Sequence, residues 1–171
     1  MTSALPDGFV IDVNLEAGSW PGEKDLIHLA DAAIRATLTT GGLQVTDNSE
    51  VSLLFTDDDA IRKLNGQWRD KDKPTNVLSF PGSDPVDDVY GPLLGDIVFG
   101  FETIEREARD MGVDFSDHLS HLTVHGLLHL FDYDHQTDEE AELMEGLEKT
   151  ILASLGIDDP YAGSPLVVDG N

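Results

Sequence analysis

The chain has 171 residues, 40% apolar content, no cysteine and a formal net charge of −24. This length and composition indicate one globular domain with its own core, and the lack of cysteine excludes disulfides and thiolate metal ligands. The strongly negative charge argues against non-specific binding to nucleic acid, because the phosphate backbone would be repelled.

Targeting and membrane signals are missing from the sequence. Residues 1–15 contain neither a basic n-region nor a long apolar stretch, so no signal peptide is predicted. No run approaches the roughly 18 apolar residues of a membrane span. We therefore expect a cytoplasmic protein without membrane contacts. We also expect residues 1–157 to form a single domain and residues 158–171 a short C-terminal tail.

The first half of the chain is predicted to alternate strands and helices. Alternating apolar residues indicate strands, and apolar residues three and four positions apart indicate helices. Gly41 and Gly42 end the first helix, and Thr56 or Asp57 caps the second. The predicted elements are a strand at 9–15 with Phe9, Ile11, Val13 and Leu15 inward, a helix at 24–38, a strand at 50–56 and a short helix through Asn65.

A basic segment then follows in this acidic chain. Half of its ten Lys and Arg residues fall within twelve positions, and subtracting two aspartates from these five gives the segment a net charge of +3. Such a patch would let an acidic protein hold a phosphate backbone. A solvated helix end and loop explains the charges equally well. The basic residues are Arg62, Lys63, Arg69, Lys71 and Lys73, and the aspartates are Asp70 and Asp72.

The second half of the chain is predicted to be mainly helical. Gly112 is a C-cap, and Thr137 with Glu140 forms a capping box that opens the last helix. The predicted elements are an irregular excursion at 82–92 that could be a mobile flap, a strand at 93–99, a helix at 101–111, a helix from Asp114, Ser116 or Asp117 to about Leu130, and a helix to Leu155 with Leu143, Met144, Leu147, Ile151 and Leu152 inward.

The histidine pattern favours a metal site. His125 and His129 are one turn apart on one helix face, so both imidazoles can approach one ion. His135 follows six residues later, far enough for the chain to turn back as a third ligand. His121 cannot complete a triad with the first two, because residues eight apart are separated by about 12 Å along a helix. The alternative is a pair of core histidines with an exposed third.

The other nearby histidines have structural interpretations. We expect His121 to be a neighbour of the site or a buried, hydrogen-bonded histidine, and His118 to lie at the surface. Three histidines without thiolates suit one zinc ion per chain, with the fourth position open for water or substrate, as in catalytic zinc sites.

Three aspartates are candidates for supporting roles. Asp132 and Asp134 are predicted to orient ligand imidazoles through their second ring nitrogen, and exposed carboxylates on an acidic loop are the alternative. Asp96, between apolar strand residues, is predicted to bond a ligand histidine or to position a water. A helix cap or a pairing with an arginine fits Asp96 equally well. Gly126 stands where peptidases of the H-E-x-x-H type carry their general base, which disfavours proteolysis.

Residues 125–135, His-Gly-Leu-Leu-His-Leu-Phe-Asp-Tyr-Asp-His, resemble the H-G-x-L-H-L-x-G-Y-D-H signature of the YbeY family of bacterial endoribonucleases. Two further motifs match in order, across roughly residues 50–155. One is an Asn, an aromatic-Arg pair, a basic loop and a Pro-Thr-Asn-Val-Leu-Ser-Phe strand within residues 65–81, and the other is Leu-Gly-Asp-Ile at 94–97. Asp132 replaces the signature glycine and should also tolerate a left-handed turn.

With this resemblance, we expect an α+β fold of zincin-like type, a small mixed sheet with helices packed around it and a central helix that carries the histidines. The resemblance implies that His125, His129 and His135 bind zinc and that Arg69 is a catalytic residue, pairing with phosphate through its planar fork. A surface salt bridge of Arg69 with Asp70 or Asp72 is the alternative.

The resemblance also implies a function. Zinc-activated water would attack a phosphodiester of single-stranded ribosomal RNA, in ribosomal RNA maturation and ribosome quality control, with ribosomal proteins or the small ribosomal subunit as partners. Candidate RNA contacts are Arg62, Lys63, Lys71 and Lys73. The alternatives are a zinc hydrolase of another substrate, such as a peptide, and a non-catalytic ribosome assembly factor with structural zinc.

Overall fold

The structure is a computed structural model, and it describes residues 5–162. Within this range the chain forms four strands and five helices in the order β-α-β-α-β-β-α-α-α. The strands are β1 (Val10–Leu15), β2 (Glu50–Thr56), β3 (Val77–Pro81) and β4 (Leu93–Gly100). The helices are α1 (Glu23–Thr40), α2 (Asp58–Arg69), α3 (Phe101–Met111), α4 (Phe115–Leu130) and α5 (Asp138–Ser154).

The strands form one mixed sheet in the order β1-β2-β4-β3. β2 pairs in parallel with β1 and with β4, whereas β3 pairs antiparallel with β4 and forms an edge of the sheet. The prediction of an α+β fold with a small mixed sheet is confirmed. None of the described helices is long and apolar enough to cross a membrane.

The helix α4 is the centre of the fold. Every residue from His118 to Leu130 is buried, because α1, α3, α5 and the strands β3 and β4 all pack around this helix. β4 separates two cores, since its side chains alternate between the faces of the sheet. Ile97 and Phe99 belong to the core shared with α1 and α4, whereas Val98 packs with residues of α2 and β3.

Gly126 sets the distance between α4 and the sheet. A Cβ atom at this position would lie 2.9 Å from Ile97 Cγ2 and 3.1 Å from Ser79 Oγ. The Ser79 hydroxyl donates a hydrogen bond of 2.8 Å to the Gly126 carbonyl. The glycine therefore allows a close approach of helix and sheet, and this contact fixes the segment between His125 and His129.

We expect Gly126→Ala to lower the free energy of unfolding by up to about 2 kcal/mol. Overpacking costs about 1–3 kcal/mol, and the better helix propensity of Ala returns about 1 kcal/mol. Urea unfolding measures the change. Gly146→Ala is the matched control, because a Cβ at Gly146 in α5 meets nothing within 4 Å and should stabilise the protein. Equal effects at the two positions would contradict the packing argument.

The helix α2 is longer than predicted. Asp57 caps it by accepting a hydrogen bond of 2.9 Å from the backbone N–H of Ala60, as expected for one of the two candidates. The helix continues through Gly66 to Arg69 and ends where Asp70 adopts a left-handed φ of 58°. The predicted end at Asn65 was wrong, because Gly66 is tolerated inside the helix. Arg69 therefore lies on a helix and not in a loop.

Two side chains predicted to face inward are exposed. Leu15 at the end of β1 is 45% exposed, and Leu143 on α5 is 64% exposed. The buried stripe of α5 instead consists of Met144, Glu148, Ile151 and Leu152. The capping box at Thr137 and Glu140 is confirmed, as are the glycine C-cap of α3 and the length of α4 to Leu130. The domain boundary at residue 157 stays a prediction.

Candidate metal centre

Three histidines meet at the C-terminal end of α4. His125 and His129 lie on the helix with their Nε2 atoms 3.0 Å apart, and His135 returns from the following loop. One ring nitrogen from each of the three lies within 4.8 Å of the others. Tetrahedral zinc with bonds of about 2.0–2.1 Å separates its nitrogen ligands by about 3.3 Å, so small side-chain adjustments suffice to bind the ion. The donor set therefore fits zinc.

The end of α4 explains how His135 returns. Asp132 has a left-handed φ of 66°, and its backbone N–H donates to the carbonyl of His129 at 3.1 Å. The N–H of Tyr133 donates to the carbonyl of Leu128, also at 3.1 Å. This pair of bonds is a Schellman motif, which terminates the helix and reverses the chain. The left-handed turn predicted at Asp132 is confirmed.

Burial keeps the helical imidazoles neutral. It lowers the pKa of His125, although Glu148 favours the charged ring. Burial, together with the nearby His125 and His135, lowers the pKa of His129 to about 4. Neutral rings at pH 7 retain the lone pair that a metal ion requires. The electrostatics of the site thus suit metal binding.

Glu148 on α5 fixes the orientation of His125. This carboxylate is fully buried, and both of its oxygens lie 3.3 Å from Nδ1 of His125. An ionised carboxylate can only accept, so Nδ1 carries the proton and Nε2 presents its lone pair to the cluster. The His121 and His125 imidazoles hold the pKa of Glu148 well below its usual range despite the burial.

Glu148 has two further donors. His121 Nε2 lies 3.0 Å from Glu148 Oε1, and the Tyr161 hydroxyl donates to the same oxygen at 2.8 Å. Of the two alternatives for His121, the buried, hydrogen-bonded histidine is observed, since its side chain is 1% exposed. Tyr161 belongs to the predicted tail, and burial beside Glu148 raises the pKa of its hydroxyl.

Glu148 was not predicted from the sequence, although a signal was present. Glu148 lies four residues after Met144 and three before Ile151, on the apolar stripe of α5. A carboxylate at such a position is buried, and a buried carboxylate requires partners. His118 was also misjudged, because it is 3% exposed and its Nε2 contacts Glu107 of α3 at 2.9 Å. The start of α4 is covered by α3, which the local pattern did not reveal.

Arg69 is held against the edge strand β3. One terminal nitrogen donates a hydrogen bond of 2.7 Å to the Ser79 carbonyl, and the guanidinium lies 5.2 Å from the centre of the Phe80 ring. Its Nε atom is buried and has no hydrogen-bond partner within residues 5–162. The Ser79 hydroxyl bonds the Gly126 carbonyl, so two consecutive contacts join Arg69 to the histidine-bearing helix.

The comparisons with known proteins agree with this geometry. The family model described as Endoribonuclease YbeY matches residues 18–156. The chain belongs to the YbeY family. It is 49% identical over 164 residues to Endoribonuclease YbeY of Sinorhizobium fredii, covering 92% of this chain and 94% of that protein. It is 48% identical over 170 residues to the protein of the same name from Rhizobium etli, covering 93% and 96%.

A solved structure supports the fold of this YbeY family member. The solution structure of a Thermotoga maritima protein is 28% identical, covers 86% of this chain and 92% of that one, and superimposes with a TM-score of 0.54. The region that the family model matches, residues 18–156, includes α1 to α5, the strands β2 to β4 and all three clustered histidines.

Asp132, which stands where the YbeY signature has glycine, makes a side-chain contact that glycine could not make. The Tyr90 hydroxyl donates a hydrogen bond of 2.7 Å to the Asp132 carboxylate. Burial and this carboxylate raise the pKa of Tyr90 to about 12, so the hydroxyl stays protonated. The contact ties the excursion at 82–92 to the loop that carries His135. Asp134 accepts a hydrogen bond of 2.7 Å from the backbone N–H of His135. Orientation of an imidazole by Asp134 stays a prediction.

Asp96 lies apart from the YbeY histidines. It is exposed and shares the face of β4 that carries Val98, whereas Ile97 points to α4. A side chain on that face is directed away from the metal centre. The structure therefore does not bring Asp96 to the site.

The basic segment is partly neutralised. Arg62 pairs with Asp72 at 2.8 Å, and Lys63 lies 3.4 Å from Asp59. The suggested pairing of Arg69 with Asp72 is not observed. Asp72 pairs with Arg62, and Arg69 donates to the Ser79 carbonyl. Lys71 and Lys73 are exposed beyond the end of α2.

A cavity with an acidic lining adjoins the loop that leads to His135. It measures about 600 Å³ and is lined by Tyr90, Leu143, residues 131–134 and several carboxylates. The carboxylates are those of Asp87, Asp88, Asp132, Asp134 and Glu140. Such a surface repels phosphate groups.

Proposed function

We propose that this chain is a zinc-dependent endoribonuclease that hydrolyses single-stranded RNA in ribosomal RNA maturation and ribosome quality control. The observation that carries the proposal is the convergence of three ring nitrogens within 4.8 Å at the end of the central helix. Membership of a family named for endoribonuclease activity supports it.

His125, His129 and His135 would hold one zinc ion through one nitrogen each. When bound, zinc supplies a Lewis acid that polarises a phosphoryl oxygen and lowers the pKa of water towards 7. Glu148 keeps His125 in the tautomer that offers Nε2 to the ion. Three protein ligands leave a coordination position for substrate, as in catalytic rather than structural zinc sites.

Arg69 would bind the phosphate. One terminal nitrogen is engaged by Ser79, and the remaining donors of the guanidinium have the planar geometry that matches two phosphate oxygens. The buried Nε without an acceptor supports this role, because an unsatisfied donor costs about 1–3 kcal/mol. Lys71, Lys73 and the paired Arg62 and Lys63 would add weaker contacts to the RNA backbone.

The cellular setting follows from this role. A maturation enzyme would act in the cytoplasm on the small ribosomal subunit or its precursor RNA, and ribosomal proteins would be its partners. The net charge of −24 disfavours non-specific retention on RNA, so recognition would depend on the surface around Arg69. Residues 1–157 would form the single catalytic domain.

The test is RNA cleavage by the purified protein. We expect the protein to contain about one zinc per chain and to cleave single-stranded RNA faster than duplex RNA of the same sequence. A chelator should abolish cleavage and leave the far-UV circular dichroism unchanged. Unfolding on chelation would instead favour an assembly factor with structural zinc. Cleavage of an unstructured peptide, with no cleavage of RNA, would favour another hydrolase.

We expect Arg69→Gln to slow RNA cleavage by about 100-fold, because phosphate loses a charged, bidentate partner that stabilises developing charge. Arg69→Lys should recover only part of the rate, since it keeps the charge and loses the fork. Single-turnover cleavage at saturating RNA measures the change. Arg35→Gln on α1, where Arg35 pairs with Asp31, is the control and should cleave like the wild type. Cleavage by Arg69→Gln at the wild-type rate would show that Arg69 does not bind the phosphate.

A further inference from the structure

Trp68 is an unusually exposed aromatic residue next to Arg69. It lies on the last turn of α2, directly before Arg69, and is 61% exposed. The other tryptophan of the chain behaves differently. Trp20 packs edge-on against Phe55 and Phe101, and its indole N–H donates to the carbonyl of Ala17 at 2.8 Å. The exposure of Trp68 is therefore not explained by packing of the fold.

Phe80 on β3 holds Trp68 and Arg69 in place. The Trp68 and Phe80 rings meet at 69° with centroids 6.4 Å apart, and the Arg69 guanidinium lies 5.2 Å from the Phe80 centroid. We call these three residues the aromatic-arginine cluster. Edge-to-face contact stabilises the indole in one orientation and leaves aromatic surface open to solvent. An ordered and exposed ring loses little conformational entropy on binding a ligand.

The aromatic-arginine cluster is connected to the metal centre. Arg69 donates to the Ser79 carbonyl, and the Ser79 hydroxyl donates to the carbonyl of Gly126, which lies next to His125. Phe80 follows Ser79 on the same strand, so its position is set by the same contacts. A polymer bound at Arg69 would therefore lie next to Trp68.

Because the chain has a net charge of −24, a contact that does not depend on charge would add affinity for RNA. At −24, the body of the protein opposes the approach of phosphate, and Arg62 and Lys63 are already paired with aspartates. Stacking of a nucleobase on an aromatic ring depends little on charge and accepts every base. An acidic protein can gain affinity for a single strand in this way, because unpaired bases expose their faces.

We propose that Trp68 is a base-stacking residue that binds an unpaired nucleobase of RNA while Arg69 binds an adjacent phosphate. The proposal rests on the proposed function in taking RNA as the ligand, and it adds a subsite and the reason for single-strand preference. In a duplex the base faces are covered by their neighbours, so Trp68 would distinguish single-stranded from double-stranded RNA.

Tryptophan fluorescence of the chelated protein tests the proposal without cleavage. We expect a single-stranded oligoadenylate of ten nucleotides to quench the emission on binding. The chain contains two tryptophans, so Trp68→Phe leaves only Trp20 and should lose the quenching while binding within about threefold of the wild type. Trp68→Leu keeps apolar bulk without a π-face and should bind about 5- to 100-fold more weakly.

Three controls separate stacking from other effects. An abasic oligomer of the same length should not quench the emission, because it offers phosphates without bases. Ile27→Ala removes an exposed apolar side chain on α1 and should bind oligoadenylate like the wild type. The slope of log affinity against log salt should be unchanged in Trp68→Leu, whereas Arg69→Gln should reduce it by about 0.7.

Equal binding by Trp68→Leu and Trp68→Phe, or equal quenching by the abasic oligomer, would overturn the stacking proposal. This outcome is distinct from a failure of the proposed function. Quenching by oligoadenylate in a protein that does not cleave RNA when loaded with zinc would sustain the subsite and reject the nuclease. Cleavage by Trp68→Leu with wild-type affinity would sustain the nuclease and reject the subsite.

Discussion

His129→Ala is expected to abolish zinc binding and RNA cleavage while the chain keeps its fold. Its imidazole is one of the three proposed to bind zinc, and its Nε2 lies 3.0 Å from that of His125. Because changes to groups that merely orient a ligand cost about 10- to 100-fold in metal affinity, loss of the ligand itself should cost more than about 100-fold. Metal analysis after dialysis and a cleavage assay measure both effects.

The control for His129→Ala is His28→Ala. His28 is the one histidine outside the segment from His118 to His135, and it is exposed on α1. It should retain about one zinc per chain and full cleavage. One equivalent of tightly held zinc in His129→Ala would mean that the ion binds elsewhere. A loss of helical circular dichroism in the chelated variant would mean that the histidine serves the fold.

Glu148→Ala is expected to lower the free energy of unfolding by about 3–5 kcal/mol, the usual cost of removing one partner from a buried charged network. The variant would leave ring nitrogens of His121 and His125 and the hydroxyl of Tyr161 without their acceptor in a buried site. Urea unfolding in the presence of a chelator measures this change, since zinc would otherwise add stability by mass action.

Glu148→Gln separates the structural effect from the effect on the metal. The amide keeps the shape and one acceptor oxygen, so we expect a smaller loss of stability. It no longer carries the charge that favours the Nδ1–H tautomer of His125, so zinc affinity should fall about 10- to 100-fold. Glu142→Ala, at an exposed position of α5, is the control and should change neither quantity. Unchanged zinc affinity in Glu148→Gln would show that the carboxylate only supports packing.

The metal centre was largely predictable, because most of it is local in sequence. The spacing of His125 and His129 places both rings on one helix face whatever surrounds them. The left-handed conformation at Asp132 follows from a residue type that tolerates it, and that turn brings back His135. Each of these relations spans at most ten residues.

The supporting contacts were not predictable from pattern. Glu148 meets His125 across 23 residues and His121 across 27. Arg69 is held by the carbonyl of Ser79, a partner that exists only because β3 is an edge strand beside the end of α2. His118 looked like a surface residue, because nothing in its own helix shows that α3 covers it.

The sequence by itself determined most helices and strands, the clustering of the three histidines and the turn before His135, since helix periodicity, capping and backbone preference act over a few residues. Only the tertiary structure decided which carboxylate orients His125 and which face of the sheet Asp96 occupies. It also decided that Trp68 stays in solvent beside Arg69. These outcomes depend on how α2, α5 and the sheet pack around α4, and packing is set by the whole chain at once.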